Sequence, residues 1–182
     1  MSKAARTKRF KHKGDFVTFK PTEDDIVLTY KRSIAMGILP GSYTRGAGNM
    51  VGCLGEVAVS HYLRNSKYVG DSCYTHDLIY KKKRVDVKSK SCSSKPKQHY
   101  SAFVNCKQGF TPDNDAYFFT RVKKDLSVVY LLGWIKSSQL QSKAIFRKKG
   151  DVDPDGFVFK SAGYQLLLSS LNKPKELKQG LI

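Results

Sequence analysis

Between Cys73 and Lys90 the chain adopts a period of two, and this alternation constrains the fold more than any other feature. Tyr74, His76, Leu78 and Tyr80 share one parity, and Val85 and Val87 continue an apolar row after the charged link Lys81-Lys82-Lys83-Arg84. Residues two apart in a strand lie on one face of a sheet. Two apolar rows joined by a short polar link therefore predict a β-hairpin with one face in a core. The polar rows are equally ordered. An even-numbered link sets Asp77 opposite Lys88 and Ile79 opposite Asp86, all four on the same face, with Leu78, Tyr80, Val85 and Val87 turned together into the core. By the same parity His76 points inward as a core histidine.

Helical periodicity precedes the hairpin. Thr22, followed by Glu23, Asp24 and Asp25, reads as an N-cap with acidic residues in the first turn. Ile26, Val27, Tyr30 and Ile34 then fall on one face of a helix that ends near Gly37 to Pro40. A glycine-rich loop from Gly41 to Gly48 carries Tyr43 and Arg45. A second helix is expected from about Asn49 to Arg64, with Met50, Leu54, Val57, Ala58 and His61 as its apolar stripe and Glu56 away from it, beside Gly52. Gly52 and Gly55 each weaken a helix by about 1 kcal/mol relative to alanine, so a close backbone approach is expected to compensate. After the hairpin, strands are expected at Ala116 to Val122, Val128 to Ile135 and Tyr164 to Leu168, with a final helical turn at Lys173 to Leu177. Tyr100 to Cys106 fits a strand or a short helix. The pattern predicts an α/β (α+β) fold with a mixed β-sheet core flanked by helices.

A chain of 182 residues suits one core, taken as residues 21 to 182, preceded by a flexible basic arm over residues 1 to 20. With 33 Lys+Arg against 15 Asp+Glu the formal charge is +18, which calls for a polyanionic partner, nucleic acid first. No apolar run approaches the ~18 residues that span a bilayer, and the basic start lacks the apolar segment of a secretory signal, so an intracellular, cytoplasmic protein is expected. The cysteines at 53, 73, 92 and 106 are too widely spaced for a zinc site and are expected to be unpaired thiols.

Two carboxylates and an ammonium on one strand face, backed by an apolar face, suit phosphodiester cleavage. Hard oxygen ligands hold magnesium, the metal acidifies a bound water and neutralises charge on the scissile phosphate, and a lysine serves that water. The alternative is that Asp77, Asp86 and Lys88 form the polar side of a half-exposed hairpin, joined by cross-strand ion pairs.

Asp77, eight residues, then Asp86-Val87-Lys88 in a strand, with Glu56 on an upstream helix, resembles the signature of the PD-(D/E)xK nuclease superfamily. The resemblance covers roughly residues 47 to 135. It departs from the commoner pattern in having His76 rather than proline before Asp77, and Asp rather than Glu at position 86. It implies a restriction-endonuclease-like fold and a metal-dependent endodeoxyribonuclease using Mg2+ or Mn2+. Asp77, Asp86 and the Val87 backbone carbonyl would hold the metal, Lys88 would serve the attacking water, and Glu56 would be an accessory or second-metal ligand. Double-stranded DNA would be the partner, with a homodimer as the simplest way to cut two strands. Lys90, Arg84, Lys95, Lys97, Gln98 and Arg45 are candidate DNA contacts. A site-specific homing or restriction-like enzyme and a Holliday-junction resolvase or repair nuclease both fit, as does a non-catalytic DNA- or RNA-binding protein from outside the class.

Overall fold

The structure, a computed structural model, describes residues 9–12, 14–37, 49–70 and 75–180. The residues before Arg9, Lys13, the 38–48 segment with Tyr43 and Arg45, and Cys73 with Tyr74 lie outside them. Aromatic and β-branched residues nucleate most of the strands. β1 (Phe10–Lys11), β2 (Val17–Phe19), β3 (Lys67–Tyr68), β4 (Leu78–Tyr80), β5 (Lys83–Cys92), β7 (Ala116–Lys123) and β8 (Val129–Lys136) form a seven-stranded sheet in the order β1-β2-β8-β7-β5-β4-β3. All neighbours are antiparallel except β5 and β7, which run parallel from Val85 beside Ala116 to Cys92 beside Lys123. A parallel pair needs a crossover. Here it passes through β6 (Ser101–Asn105), which belongs to a second, three-stranded antiparallel sheet with β9 (Ile145–Arg147) and β10 (Gly163–Leu167) in the order β6-β10-β9.

The two faces of the main sheet are covered differently. One packs Leu78, Val85, Val87, Phe118, Val129 and Leu131 under Leu54, Ala58, Val59 and Tyr62 of α2 (Asn49–Tyr62). The other packs Tyr117, Phe119, Leu132 and Ile135 against Ala102, Val104, Tyr164 and Leu166 of the second sheet, closed by Leu140 of α3 (Ser137–Lys143). The mixed α+β architecture matches the expected class, with one addition: helices cover one face and a second sheet covers the other. A short α4 (Leu177–Gly180), with Leu177 buried, ends the described chain.

α2 is not a half-exposed amphipathic helix with a single stripe. Cys53, Leu54, Gly55, Glu56, Val57, Ala58 and Val59 are all buried, because α1 (Glu23–Met36) packs on the side of α2 that the sheet leaves open. The compensation expected for its glycines is found at Gly55, where an added Cβ would lie 1.9 Å from Ser89 Oγ and 2.6 Å from Thr120 Oγ1. The helix axis can therefore approach β5 and β7 only with glycine there.

α1 starts as expected at Thr22, whose side chain and that of Asp25 form a reciprocal capping box. Its packing face is a correction. Val27, Tyr30 and Ile34 are exposed, and the residues it buries are Asp25 and Thr29. Asp25 ion-pairs with the buried Arg9 and lies 2.9 Å from His61 Nε2 of α2. The helix is thus anchored through a polar cluster that apolar periodicity does not register. The described part of the basic arm is a correction as well: Phe10 packs tilted against Phe19 and edge-on against Tyr62, and Phe16, Val17 and Phe19 are core residues. Among the described residues no helix is long and apolar enough to cross a membrane.

Candidate functional site

The hairpin turns at Lys81 and Lys82 alone, both with positive φ (50° and 64°), as a two-residue primed turn requires. Its link is even-numbered but two residues shorter than the charged run suggested. The register becomes Leu78 beside Val85, Ile79 beside Arg84 and Tyr80 beside Lys83. Asp77 therefore comes level with Asp86, not with Lys88 as expected, and Ile79 faces Arg84 rather than Asp86. A shift of two residues preserves parity, so the separation of faces stands: Leu78, Tyr80, Val85 and Val87 are buried in the core under α2, and Asp86 and Lys88 turn away from it.

At Asp77 the ladder changes character. Its N–H donates to Val85 O at 3.1 Å, and its carbonyl accepts from Val69 N–H at 2.9 Å. Its carboxylate Oδ2 accepts the Val87 N–H at 2.6 Å, in the place of a main-chain acceptor. The carboxyl is thereby pinned beside β5. Because N–H and C=O of one strand residue point to the same side, the Val87 carbonyl is directed toward this end of β4 too.

Asp86 and Lys88 are joined directly, with Nζ 2.8 Å from Oδ2, and their side chains are 15% and 39% exposed. Glu56 arrives from α2 on the buried side, beside Gly52, whose Cβ position is 3.9 Å from Glu56 Oε1. The four groups behave electrostatically as one cluster. Burial first, then the Glu56 and Asp86 carboxylates, raise the Asp77 pKa well above its ordinary 3.8, and the Val87 hydrogen bond and Lys88 offset this in part. Burial opposes the charge on Lys88, but Asp86, then Asp77 and Glu56, outweigh it and leave the amine more basic than usual. Lys88 is thus held as an ammonium.

Crowded carboxylates that bind a proton too well also favour any other cation that fits among them. Among the described residues, however, no group of three or more Asp, Glu, His or Cys side chains forms a ready-made ion cage. This donor set suits magnesium better than zinc or calcium: Mg2+ commonly takes one or two carboxylates and completes its shell with water and substrate phosphate. Asp77, Asp86 and the Val87 carbonyl fit that partial set, with Glu56 behind them.

No known protein-family model matches the chain, and no curated protein matches it significantly in sequence.

The other residues singled out in the sequence scatter. Lys90 extends the Lys88 row, with its amine 5.2 Å from the centre of the Phe157 ring. Arg84 is turned to Asp113 at 2.5 Å and Asp115 at 3.7 Å, so its charge is matched within the protein. Lys95 and Lys97 are exposed in the 93–100 connection, and Gln98 accepts the Ser169 N–H through its carbonyl. Arg45 lies outside the described residues. His76 is half-buried rather than in the core, its Nδ1 3.0 Å from the Thr75 hydroxyl.

Other neighbours of the site come from outside the hairpin and its helix. Tyr117 stands beside Asp86 in the β5–β7 ladder, and burial followed by the Asp86 charge pushes its phenol pKa up. Arg121, Phe157, Phe159 and Lys160 join Lys88 and Lys90 around a groove of about 430 Å3. Its aromatic walls come from a segment far along the chain, with no local pattern to betray them.

Proposed function

We propose that this protein is a divalent-metal-dependent endodeoxyribonuclease, similar to the PD-(D/E)xK superfamily, that hydrolyses phosphodiester bonds at the Glu56, Asp77, Asp86 and Lys88 cluster. What supports the reading is the Asp77 carboxylate pinned to the Val87 N–H at 2.6 Å beside the Asp86–Lys88 pair at 2.8 Å, with Glu56 of α2 close enough to raise the Asp77 pKa. The pair formed by Asp77 and Asp86 raises cation affinity where a structural ion pair would need only one carboxylate. The charge of +18 supports a polyanionic substrate, and duplex DNA is the expected partner.

When bound, Mg2+ or Mn2+ would acidify a water and neutralise charge on the scissile phosphate. The chain's own residues do the rest. Asp77, fixed by the Val87 N–H, and Asp86 would supply the carboxylate oxygens that hold the ion. Lys88, kept charged by Asp86, donates hydrogen bonds to the attacking water or to a phosphate oxygen. It orients and stabilises charge rather than acting as the base. Val87, Leu78 and Phe118 form an apolar backing that keeps the strand rigid. A second copy of the chain would serve the second strand. Site-specific cleavage of the homing or restriction type and cleavage of branched DNA share this chemistry.

The absence of a three-ligand cage among the described residues favours a second reading, a DNA- or RNA-binding protein in which the Lys88–Asp86 pair is structural. Incubating the protein with supercoiled, linear and four-way-junction DNA, with Mg2+ or with EDTA, separates the two. The nuclease reading expects Mg2+-dependent nicking of at least one substrate, reduced at least about 100-fold in Asp86→Asn and Lys88→Ala. Intact DNA throughout, or cleavage indifferent to both substitutions, would sink it.

A further inference from the structure

The groove beside Lys88 has a composition of its own. Its floor is Phe119, Ala102 and Leu132 of the two facing sheets, and one wall is the 153–161 segment. On that wall Phe157 is 47% exposed and packs edge-on against Phe159 at 5.3 Å, and Phe159 in turn packs on Phe103 at 5.3 Å. An exposed ring braced by a second, which is itself backed by a third, offers a flat apolar platform. Facing it are cations: Lys90 reaches over the Phe157 ring, and the Arg121 guanidinium is held in place by a 2.8 Å hydrogen bond to Ser101 O. Lys88 and Lys160 complete the lining, against a single carboxylate, Asp153. Burial and then Arg121 lower the Lys90 pKa, and burial lowers that of Arg121. Lys90 and Arg121 are thus two partly buried cations that stand close enough to act on each other.

We infer that this groove is a subsite for an unpaired nucleotide, its base stacked on Phe157 and its phosphate held between Lys90 and Arg121, adjoining the scissile phosphate at Lys88. The inference deepens the nuclease reading and rests on it for the position of the cut. It narrows the substrate class to DNA with a single-stranded, flapped or extruded nucleotide at the cleavage point. Three features favour this occupant. The volume of about 430 Å3 lies in the range of clefts that enclose a small molecule, about 300–1,000 Å3, and an intact duplex can present only its outer phosphates to such a groove. Aromatic platforms beside basic side chains are how single strands are gripped without sequence preference. The groove also shares Lys88 with the carboxylate cluster, so a strand lying in it runs past the proposed metal ligands.

The test is binding rather than cleavage. Fluorescence anisotropy in EDTA compares a short labelled single strand, a blunt duplex of the same sequence and that duplex with a single-stranded extension. The proteins are wild type, Phe157→Leu, Phe157→Tyr, Lys90→Gln and, as a control on an exposed lysine of α1, Lys31→Gln. Phe157→Leu and Lys90→Gln are expected to weaken the single strand and the extended duplex by about tenfold and the blunt duplex by less than about twofold. Phe157→Tyr, which keeps a ring, should restore the affinity, and Lys31→Gln should leave the preference unchanged. Equal losses on all three DNAs, or no loss on any, would overturn the subsite. So would competition by a short poly-glutamate peptide that is as effective as unlabelled single strand, since the groove would then be an acidic-peptide site. Because no metal is present, selective loss of single-strand binding would support the groove even if Asp86→Asn showed that no cleavage depends on the cluster. Metal-dependent cleavage with no effect of Phe157→Leu on binding would sink the groove alone.

Discussion

The two faces of β5 differ in what their side chains do. Val85 and Val87 are nearly inaccessible and lock the strand beneath α2, whereas Asp86, Lys88 and Lys90, one residue out of phase, carry the charge beyond the Lys83–Arg84 start of the strand. The difference teaches a division of labour within ten residues. The apolar face secures position, and the charged face gathers like charges: Asp86 beside Asp77 at one end, and Lys90 beside Arg121 at the other. Substitutions on the first face should therefore change stability, and those on the second should change chemistry with little cost in stability.

The largest expected effect is on the apolar face. Phe118 of β7, level with Val87, is fully buried in the core under α2, and Phe118→Ala should cost about 3–5 kcal/mol in urea denaturation. A smaller loss would mean that the face is looser than its burial implies. The polar anchor on the same side of the sheet comes next. In Asp25, burial works against ionisation, but hydrogen bonds from His61 and Thr22 and the charge of Arg9 hold the pKa below 3.8. Asp25→Asn leaves the buried Arg9 without its counter-charge and should cost about 3 kcal/mol. The pH dependence follows in sign. A carboxyl whose folded pKa lies below its unfolded value contributes its full stability above about pH 3.8 and loses it as pH falls through the lower, folded value. Urea midpoints measured from pH 6 downward should decline less steeply in Asp25→Asn than in wild type.

On the charged face the expected effect is small and of opposite sign. Asp77 has a raised pKa, so its ionised form at neutral pH works against folding. Asp77→Asn keeps an oxygen for the Val87 N–H and removes the repulsion, and it should melt at a higher temperature than wild type in EDTA while losing metal-dependent cleavage. Such exchange of stability for function marks a site under functional constraint. A lower melting temperature would place Asp77 with the structural face instead.

What the sequence made legible follows the same division. The alternation of Val85 and Val87 with Asp86 and Lys88 carried the faces, because parity survives a two-residue slip in register. The register itself did not survive, since the turn is made by Lys81 and Lys82 at positive φ, without the glycine or asparagine that usually announces it. The polar seating of α1 on Asp25 and Thr29 was hidden because its apolar residues, Val27, Tyr30 and Ile34, are exposed. Strands β1 and β2 were masked by the lysines around them, although Phe10, Phe16, Val17 and Phe19 were the signal. Of the proposed set, the shared face of Asp86 and Lys88 was readable from parity, whereas Asp77 sits in the bend before β4 and not opposite Lys88. The groove was not readable, because Lys90, Arg121 and Phe157 meet only after the second sheet has folded over the first.

Whether the carboxylate cluster binds a divalent cation can be measured by titrating Mn2+ into the protein by isothermal calorimetry. A saturable site is expected, abolished in Asp86→Asn, strongly weakened in Asp77→Asn and retained in Lys88→Ala, where the competing ammonium is gone. No saturable uptake by wild type, or uptake unchanged by both aspartate substitutions, would contradict that expectation.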